Sequence, residues 1–345
     1  LQREPVEDFR LDFEDGYGNR PDEEEDGHAV SAAEEVAEGM DEGSLPPFVG
    51  IRIKPLSGEL HRRSLRTLDL FVTTLVERAG SVPDNFVVTL PKIQDVEQVN
   101  VMTEALDELE SRLGVAPIPL ELMVETTQMI IDRDGSSGVR KFTDAAGDRI
   151  RGAHFGTYDY TASLSITAAY QDMSHTACDF ARHAMQVSLA GTGIWISDGA
   201  TNVMPVPVHR GDDLTESQES ENRETVHQAM RLHFDHIRHS LRHAYYQGWD
   251  LHPAQLPTRY AAVFSFLLEG LDEAGERLSN FVDSAAQATL VGAVFDDAAT
   301  GQGLLNYFLR AVNFGAMREE ATARAGLTIP ELRTRSFLAI LEGRK

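Results

Sequence analysis

Short apolar runs alternate with longer stretches in which apolar positions recur every three or four residues, and the alternation holds over most of the chain. Runs of about five residues bounded by turn formers read as strands, and longer periodic stretches read as helices. The pattern predicts strands at Phe9–Phe13, Phe48–Ile53, Asn85–Leu90, Leu120–Val124, Ile150–Phe155, Ile194–Ile196 and Trp249–Leu251. It predicts helices over His61–Ala79, Val96–Leu113, His175–Leu189 and Gln218–Gln247. Strands separated by helices imply a parallel sheet with right-handed crossovers. An open doubly wound sheet and an eight-stranded barrel both suit that order. The count favours the barrel if one strand lies upstream of Leu1, and no GxGxxG or GxxxxGK[ST] turn follows any strand. After Gln255 helices alone are expected, over Tyr260–Ala286, Gly303–Arg318 and Pro330–Leu341. The expected organisation is a TIM (β/α)8 barrel over residues 1–256 and a C-terminal helical extension over 257–345.

Composition narrows the class. The 345 residues are 42% hydrophobic and 25% charged, as in a soluble globular chain. No apolar run approaches the ~18–20 residues of a spanning helix, and no basic-then-apolar leader opens the chain. Neither membrane insertion nor export by that route is expected. The single cysteine, Cys178, can form neither an internal disulfide nor a thiolate zinc site, which fits a reducing cytoplasm. Net charge is -24, and residues 1–42 hold 16 acidic against 3 basic side chains, more than half of the excess. Nucleic acid is thereby an improbable partner, since phosphate binding requires a positive field. The acidic stretch 22–42 reads as a solvated loop or mobile segment.

In a barrel, working side chains sit where strands end and loops begin. The first run ends in Glu14 and Asp15; the next carries Arg52; the third ends in Pro91 and Lys92; the fourth in Glu125; the fifth in Thr157, Tyr158 and Asp159; the last in His252, Pro253 and Gln255. Glu125 and Asp159 form a pair of oxygen ligands from adjacent strands, suited to Mg²⁺ or Mn²⁺. Taken singly, a carboxylate at a strand end is as readily a helix cap. Zinc is disfavoured, since no HExxH occurs among the twelve histidines. His227, His233, His236, His239 and His243 share helical spacing, but Arg231, Arg238 and Arg242 among them point to a solvated or interface face. Gly191–Gly193 reads as a helix stop, no GxSxG elbow is present, and Cys178 reads as a packed, inert thiol.

Seven segments, LDFEDGYG (11–18), IRIKPL (51–56), TLPKI (89–93), LELMVET (120–126), HFGTYDYTASL (154–164), SDGA (197–200) and WDLHPAQL (249–256), occur in this order. Together they resemble the HpcH/HpaI aldolase and citrate lyase beta-subunit superfamily, with malate synthase as a more distant likeness. The resemblance implies a TIM barrel of the phosphoenolpyruvate/pyruvate-domain type. It implies that Glu125 and Asp159 bind Mg²⁺ or Mn²⁺ and that Arg52 contacts a substrate carboxylate or enolate oxygen. Glu14 and Asp15 would match the family's acidic pair and assist catalysis. Lys92, Gly156, Thr157, His252 and Gln255 would support substrate binding. By the same likeness, an acid from a neighbouring subunit's C-terminal region could be Asp296 or Asp297. The chain departs from the family in its absent first strand, its long acidic insert and the tyrosines Tyr158 and Tyr160 beside Asp159.

The chemistry these residues suit is carbon–carbon cleavage or formation next to a carbonyl, which passes through an enolate that prearranged positive charge stabilises. The expected function is a metal-dependent lyase or aldolase acting on a small 2-oxo acid or a 3-hydroxyacyl-CoA thioester, as in citramalyl- or malyl-CoA lyases, with CoA entering as part of the substrate. Two alternatives stand beside it: a CoA-independent 2-oxo acid aldolase, and a non-catalytic barrel serving as a binding or scaffold subunit. A homo-oligomer is expected in either case.

Overall fold

The computed structural model of the protein describes residues 5–283, 289–291, 294–296, 298–318 and 326–344. Two compact units are formed, residues 1–202 with 243–253, and residues 203–242 with 254–345. The first unit carries seven strands: β1 (Asp8–Asp12), β2 (Phe48–Arg52), β3 (Phe86–Leu90), β4 (Leu120–Val124), β5 (Ile150–Phe155), β6 (Trp195–Ala200) and β7 (Gly248–Trp249). Each pairs in parallel with the next, so spatial order follows chain order. Between them run α1 (Asp22–Glu42), α2 (His61–Ala79), α3 (Val96–Leu113), α4 (Thr127–Ile130), α5 (Gly138–Ala145), α6 (Thr157–Ser163) and α7 (Thr176–Leu189).

The sheet is strongly curled. Flat strands at about 4.8 Å spacing would hold β2 and β7 roughly 24 Å apart. Yet Arg52 on β2 lies 5.3 Å from the Trp249 ring on β7, and Phe48 on β2 meets Trp195 on β6 at 5.5 Å between ring centroids. Arg10 on β1 likewise reaches Glu121 on β4 at 2.9 Å. This geometry agrees with the expected barrel architecture, although β1 and β7 do not pair among the described residues.

Period-2 alternation explains the layering. Val49, Ile51, Val88, Leu90, Leu122, Val124 and Phe155 pack in the main hydrophobic core with residues of α1, α2, α3, α5 and α7. The alternate positions face into the curl, where the polar Arg10, Arg52, Thr89, Glu121 and His154 stand among Gly50, Val87, Met123 and Gly152. Arg10 grips both oxygens of Glu121, Thr89 donates to Glu121 at 3.2 Å, and the Trp249 indole N–H lies 3.3 Å from His154 Nδ1. His154 Nε2 lies 2.9 Å from Glu121 but out of line for a hydrogen bond. Burial works to raise the pKa of Glu121, and the charge of His154 with the charge and hydrogen bonds of Arg10 carries it down to about 2.

The acidic stretch 22–42 is a helix and not a solvated loop. Its buried positions Glu25, Ala29, Ala33, Val36 and Ala37 fall on one face at helical spacing, and the remaining acids face outward. Four acids in the first turn suit the positive end of the helix dipole, and Gly43 ends the helix in the left-handed region at φ 65°. Glu25 is fully buried. It meets Lys54 at 2.8 Å, accepts from Thr67 at 2.6 Å and lies 3.4 Å from Arg63.

The second unit contains α8 (Glu216–Arg242), α9 (Leu256–Glu269), α10 (Leu271–Asp283), a small antiparallel pair of β8 (Thr289–Val291) and β9 (Val294–Asp296), α11 (Ala298–Asn313), α12 (Ile329–Arg333) and α13 (Phe337–Gly343). Helices alone were the expectation there. The short run TLV-GA-VF is too brief for periodicity to separate a hairpin from a helix end. Gly270 also divides the expected helix 260–286. Of the α8 histidines, His233 and His236 are buried, contrary to a solvated face for the whole series. No helix among the described residues is long and apolar enough to cross a membrane.

Candidate active site

At the C-terminal ends of the strands the sequence places acids on β1, β4 and β5 and bases on β2 and β3, and the curl brings them together. Register pairs Asp12 with Arg52 directly across β1 and β2. Arg52 donates from Nε and Nη2 to the two oxygens of Asp12, at 2.7 and 2.6 Å. The Trp249 ring covers the guanidinium, and Nη1, 3.6 Å from Glu14, is the donor left for another oxygen. Burial opposes the charge of Arg52, and the hydrogen bonds and charge of Asp12 outweigh it and raise its pKa. Asp12 is lowered for the reciprocal reason, against its own burial.

Glu14 and Asp15 lie in the loop after β1. Glu14 is buried, and burial raises its pKa while Lys92 and Arg52 pull the other way. Lys54 fixes the base of this loop, donating to the carbonyls of Phe13 at 2.7 Å and Gly18 at 3.3 Å. Lys92, beyond β3, places its ammonium on Glu14, 2.7 Å from both oxygens of Asp15 and 3.5 Å from Asp159.

Glu125 follows β4 and is almost fully buried, with its Oε1 accepting from the Lys92 backbone N–H at 2.5 Å. Burial and the charge of Asp159 push its pKa up to about 8. Gly156 makes room for it: a Cβ there would stand 2.4 Å from Glu125 Oε2. Thr157 opens α6, and its buried hydroxyl oxygen has no hydrogen-bond partner among the described residues. Asp159 sits in the first turn of the same helix.

His252 lies exposed in the turn after β7, and Gln255, the last residue of the turn Pro253–Gln255, is buried and belongs to the second unit. Tyr158 donates to the Ala200 carbonyl at 2.9 Å and accepts from the Asn202 N–H, while Tyr160 packs on Phe155. Asp297 lies outside the described residues, and only the backbone strand of Asp296 is described. Cys178 is buried, and burial pushes its thiol up to about 12, as an inert packed sulfur should be. Asp12 and Trp249 belong to the cluster although their side chains were not singled out from sequence. Alternation puts Asp12 on the same side as Glu14, and that signal was available.

Asp12, Glu14, Asp15, Glu125 and Asp159 are five carboxylates against the two cations Arg52 and Lys92. The excess is negative, the candidate ligand atoms are all oxygens, and Glu14 and Glu125 are buried with raised pKa. Such a set fits a hard divalent ion. Glu125 and Asp159 would hold it: Arg52 pairs with Asp12, and the Lys92 ammonium lies nearer Glu14 and Asp15 than Asp159.

A family model described as a domain of unknown function, DUF6986, matches residues 1–340. No curated protein matches the sequence. Solved structures similar in fold include a citrate lyase from Burkholderia xenovorans LB400, with TM-score 0.65 and 21% identity, covering 92% of this chain and 87% of that one. The CitE protein of Mycobacterium tuberculosis, in complex with magnesium, acetoacetate and coenzyme A, gives 0.58 and 17%, covering 89% and 90%. Malate synthase of Haloferax volcanii gives 0.50 and 14%, covering 94% and 86%. The fold is therefore that of these citrate lyase, CitE and malate synthase structures.

Proposed function

The chain belongs to the DUF6986 family, and from the site it carries we propose that it is a divalent-metal-dependent carbon–carbon lyase, taking the curled sheet as a (β/α)8 barrel. What supports this reading is that Lys92 reaches Glu125 through its backbone N–H and Asp159 through its ammonium, beside an Arg52 oriented by Asp12 and Trp249. The substrate class is a small 2-oxo acid or a 3-hydroxyacyl-CoA thioester. The magnesium, acetoacetate and coenzyme A bound by the similarly folded CitE support that choice.

Glu125 and Asp159 would hold Mg²⁺ or Mn²⁺, which supplies Lewis acidity at the substrate carbonyl. Arg52 presents Nη1 to the oxygen that gains charge as the carbon–carbon bond breaks and its electron pair enters the enolate. Its other donors are committed to Asp12, so the fork does not have to reorganise during the step. In the lyase direction the substrate hydroxyl loses its proton, a carbonyl forms, and the enolate carbon takes a proton up. Glu14 and Asp15, both paired with Lys92, would move these protons. Gly156 and Thr157 line the same strand end and would seat the substrate. A supporting role for His252 and Gln255, a homo-oligomeric assembly and a cytoplasmic setting complete the proposal.

The test is a panel of acyl-CoA thioesters and 2-oxo acids with aldehydes, assayed with and without Mn²⁺. Turnover is expected only with the metal, and Glu125→Gln or Asp159→Asn should reduce it by roughly 10²-fold or more with the fold intact. Unchanged turnover in either variant overturns the assignment. A scaffold subunit would bind neither Mn²⁺ nor oxalate.

A further inference from the structure

Lys92 has an unusual backbone. Its φ is 49°, in the left-handed region that residues with a Cβ rarely adopt, and it alone among the clustered site residues does so. Such conformations persist where the surroundings enforce them, and they gather at functional sites. The turn lets one residue do two things at once. Its N–H points at Glu125 Oε1, 2.5 Å away, while its side chain carries Nζ onto Glu14, to 2.7 Å from each Asp15 oxygen, and to 3.5 Å from Asp159 Oδ2. Lys92 thus touches four carboxylates drawn from the ends of β1, β4 and β5. Around Nζ the neighbours are oxygens from three carboxylates, the environment a bound cation would have.

We propose that the Lys92 ammonium is a tethered occupant of a second cation position, so that the site admits one divalent ion at Glu125 and Asp159 and not a pair. This rests on the metal reading given above and deepens it. Two ions about 3.5–4 Å apart are the arrangement that activates water for hydrolysis and phosphoryl transfer. A fixed monovalent charge in the second position keeps Glu14 and Asp15 neutralised without offering a coordinated water. The same five carboxylates are thereby confined to single-ion chemistry.

The experiment is calorimetric titration of the whole chain with Mn²⁺, for the parent, Lys92→Gly and Lys92→Met. Glycine accepts the positive φ without strain, and methionine keeps the side-chain bulk without the charge. Thermal melts establish that each variant is folded. The expected result is one equivalent in the parent. The variants should show either a second equivalent or binding tighter by on the order of tenfold, since a contacting positive charge has been removed. Added methylammonium should reverse the gain. Equal stoichiometry and affinity in all three proteins, or weaker binding in both variants, overturns the role of Lys92 and leaves the metal reading standing. Binding by the variants but not by the parent upholds Lys92 as the occupant and overturns the metal reading. Absence of binding in all three overturns both.

Discussion

A carboxyl group withdrawn from water keeps its proton to higher pH, and Glu125 is pushed from its ordinary 4.5 to about 8 by burial and by Asp159. Between those two values the folded, metal-free protein holds a proton that the unfolded chain has released. The contribution of this group to stability therefore declines as pH rises through that window. Glu125→Gln removes the decline. In EDTA, the melting temperatures of variant and parent should agree near roughly pH 4.5, and the variant should melt higher by at least about 3 °C near pH 8.5. A parallel pH dependence in both proteins would refute the assignment of this proton. Glu121, four residues earlier on the same strand, shows that burial alone does not set the outcome. Against its burial, the charge of His154 and the Arg10 guanidinium gripping both its oxygens hold it at about 2. Sequence could place both glutamates on the polar side of β4 by alternation. It could not say which would find a guanidinium, because that partner arrives from β1 across the curl.

Among elements, α1 shows how charge can hide structure. An excess of acids argued for a solvated loop, whereas the Ala29, Ala33, Val36 and Ala37 stripe packs in the hydrophobic core and Glu25 enters a buried site with Lys54, Arg63 and Thr67. Removing one member of such a group strands the others as unpaired buried charges. Glu25→Ala should accordingly destabilise the protein by about 3–5 kcal/mol, read as a fall in the urea midpoint with the slope unchanged. A loss of less than about 1 kcal/mol would mean that the helix is held by its alanine stripe alone. Where apolar spacing was uninterrupted, elements were legible to the residue. β4, β5, α2 and α3 begin and end at Leu120–Val124, Ile150–Phe155, His61–Ala79 and Val96–Leu113 as the pattern predicts. For α3 the reason is local: Asp95 caps it with Gln98 in a reciprocal box, and Gly114 ends it in the left-handed region. The β8 and β9 pair was not legible, because three-residue strands carry too little period.

For the whole molecule, the net charge of -24 sets the surroundings of any ligand. A polyanion such as an acyl-CoA approaches against this field, and salt weakens the repulsion within a Debye length of about 8–10 Å. If the substrate is a CoA thioester, its KM should fall as ionic strength rises from about 0.02 to about 0.2 M. The KM of a small 2-oxo acid should change much less. A steep rise in KM with salt would instead mean that a local positive surface governs binding, which the charge balance does not suggest.

Strands lie side by side in the order in which a ribosome releases them, so each emerging βα unit can dock on the margin of the sheet already built. The carboxylates and both bases have all left the exit tunnel soon after Asp159. Trp249 comes last, after a stretch beyond β6 that includes the 27 residues of α8. A nascent chain would thus hold its acids and its guanidinium together before the indole that covers Arg52 has been synthesised, and fitting that ring is the closing act of assembly.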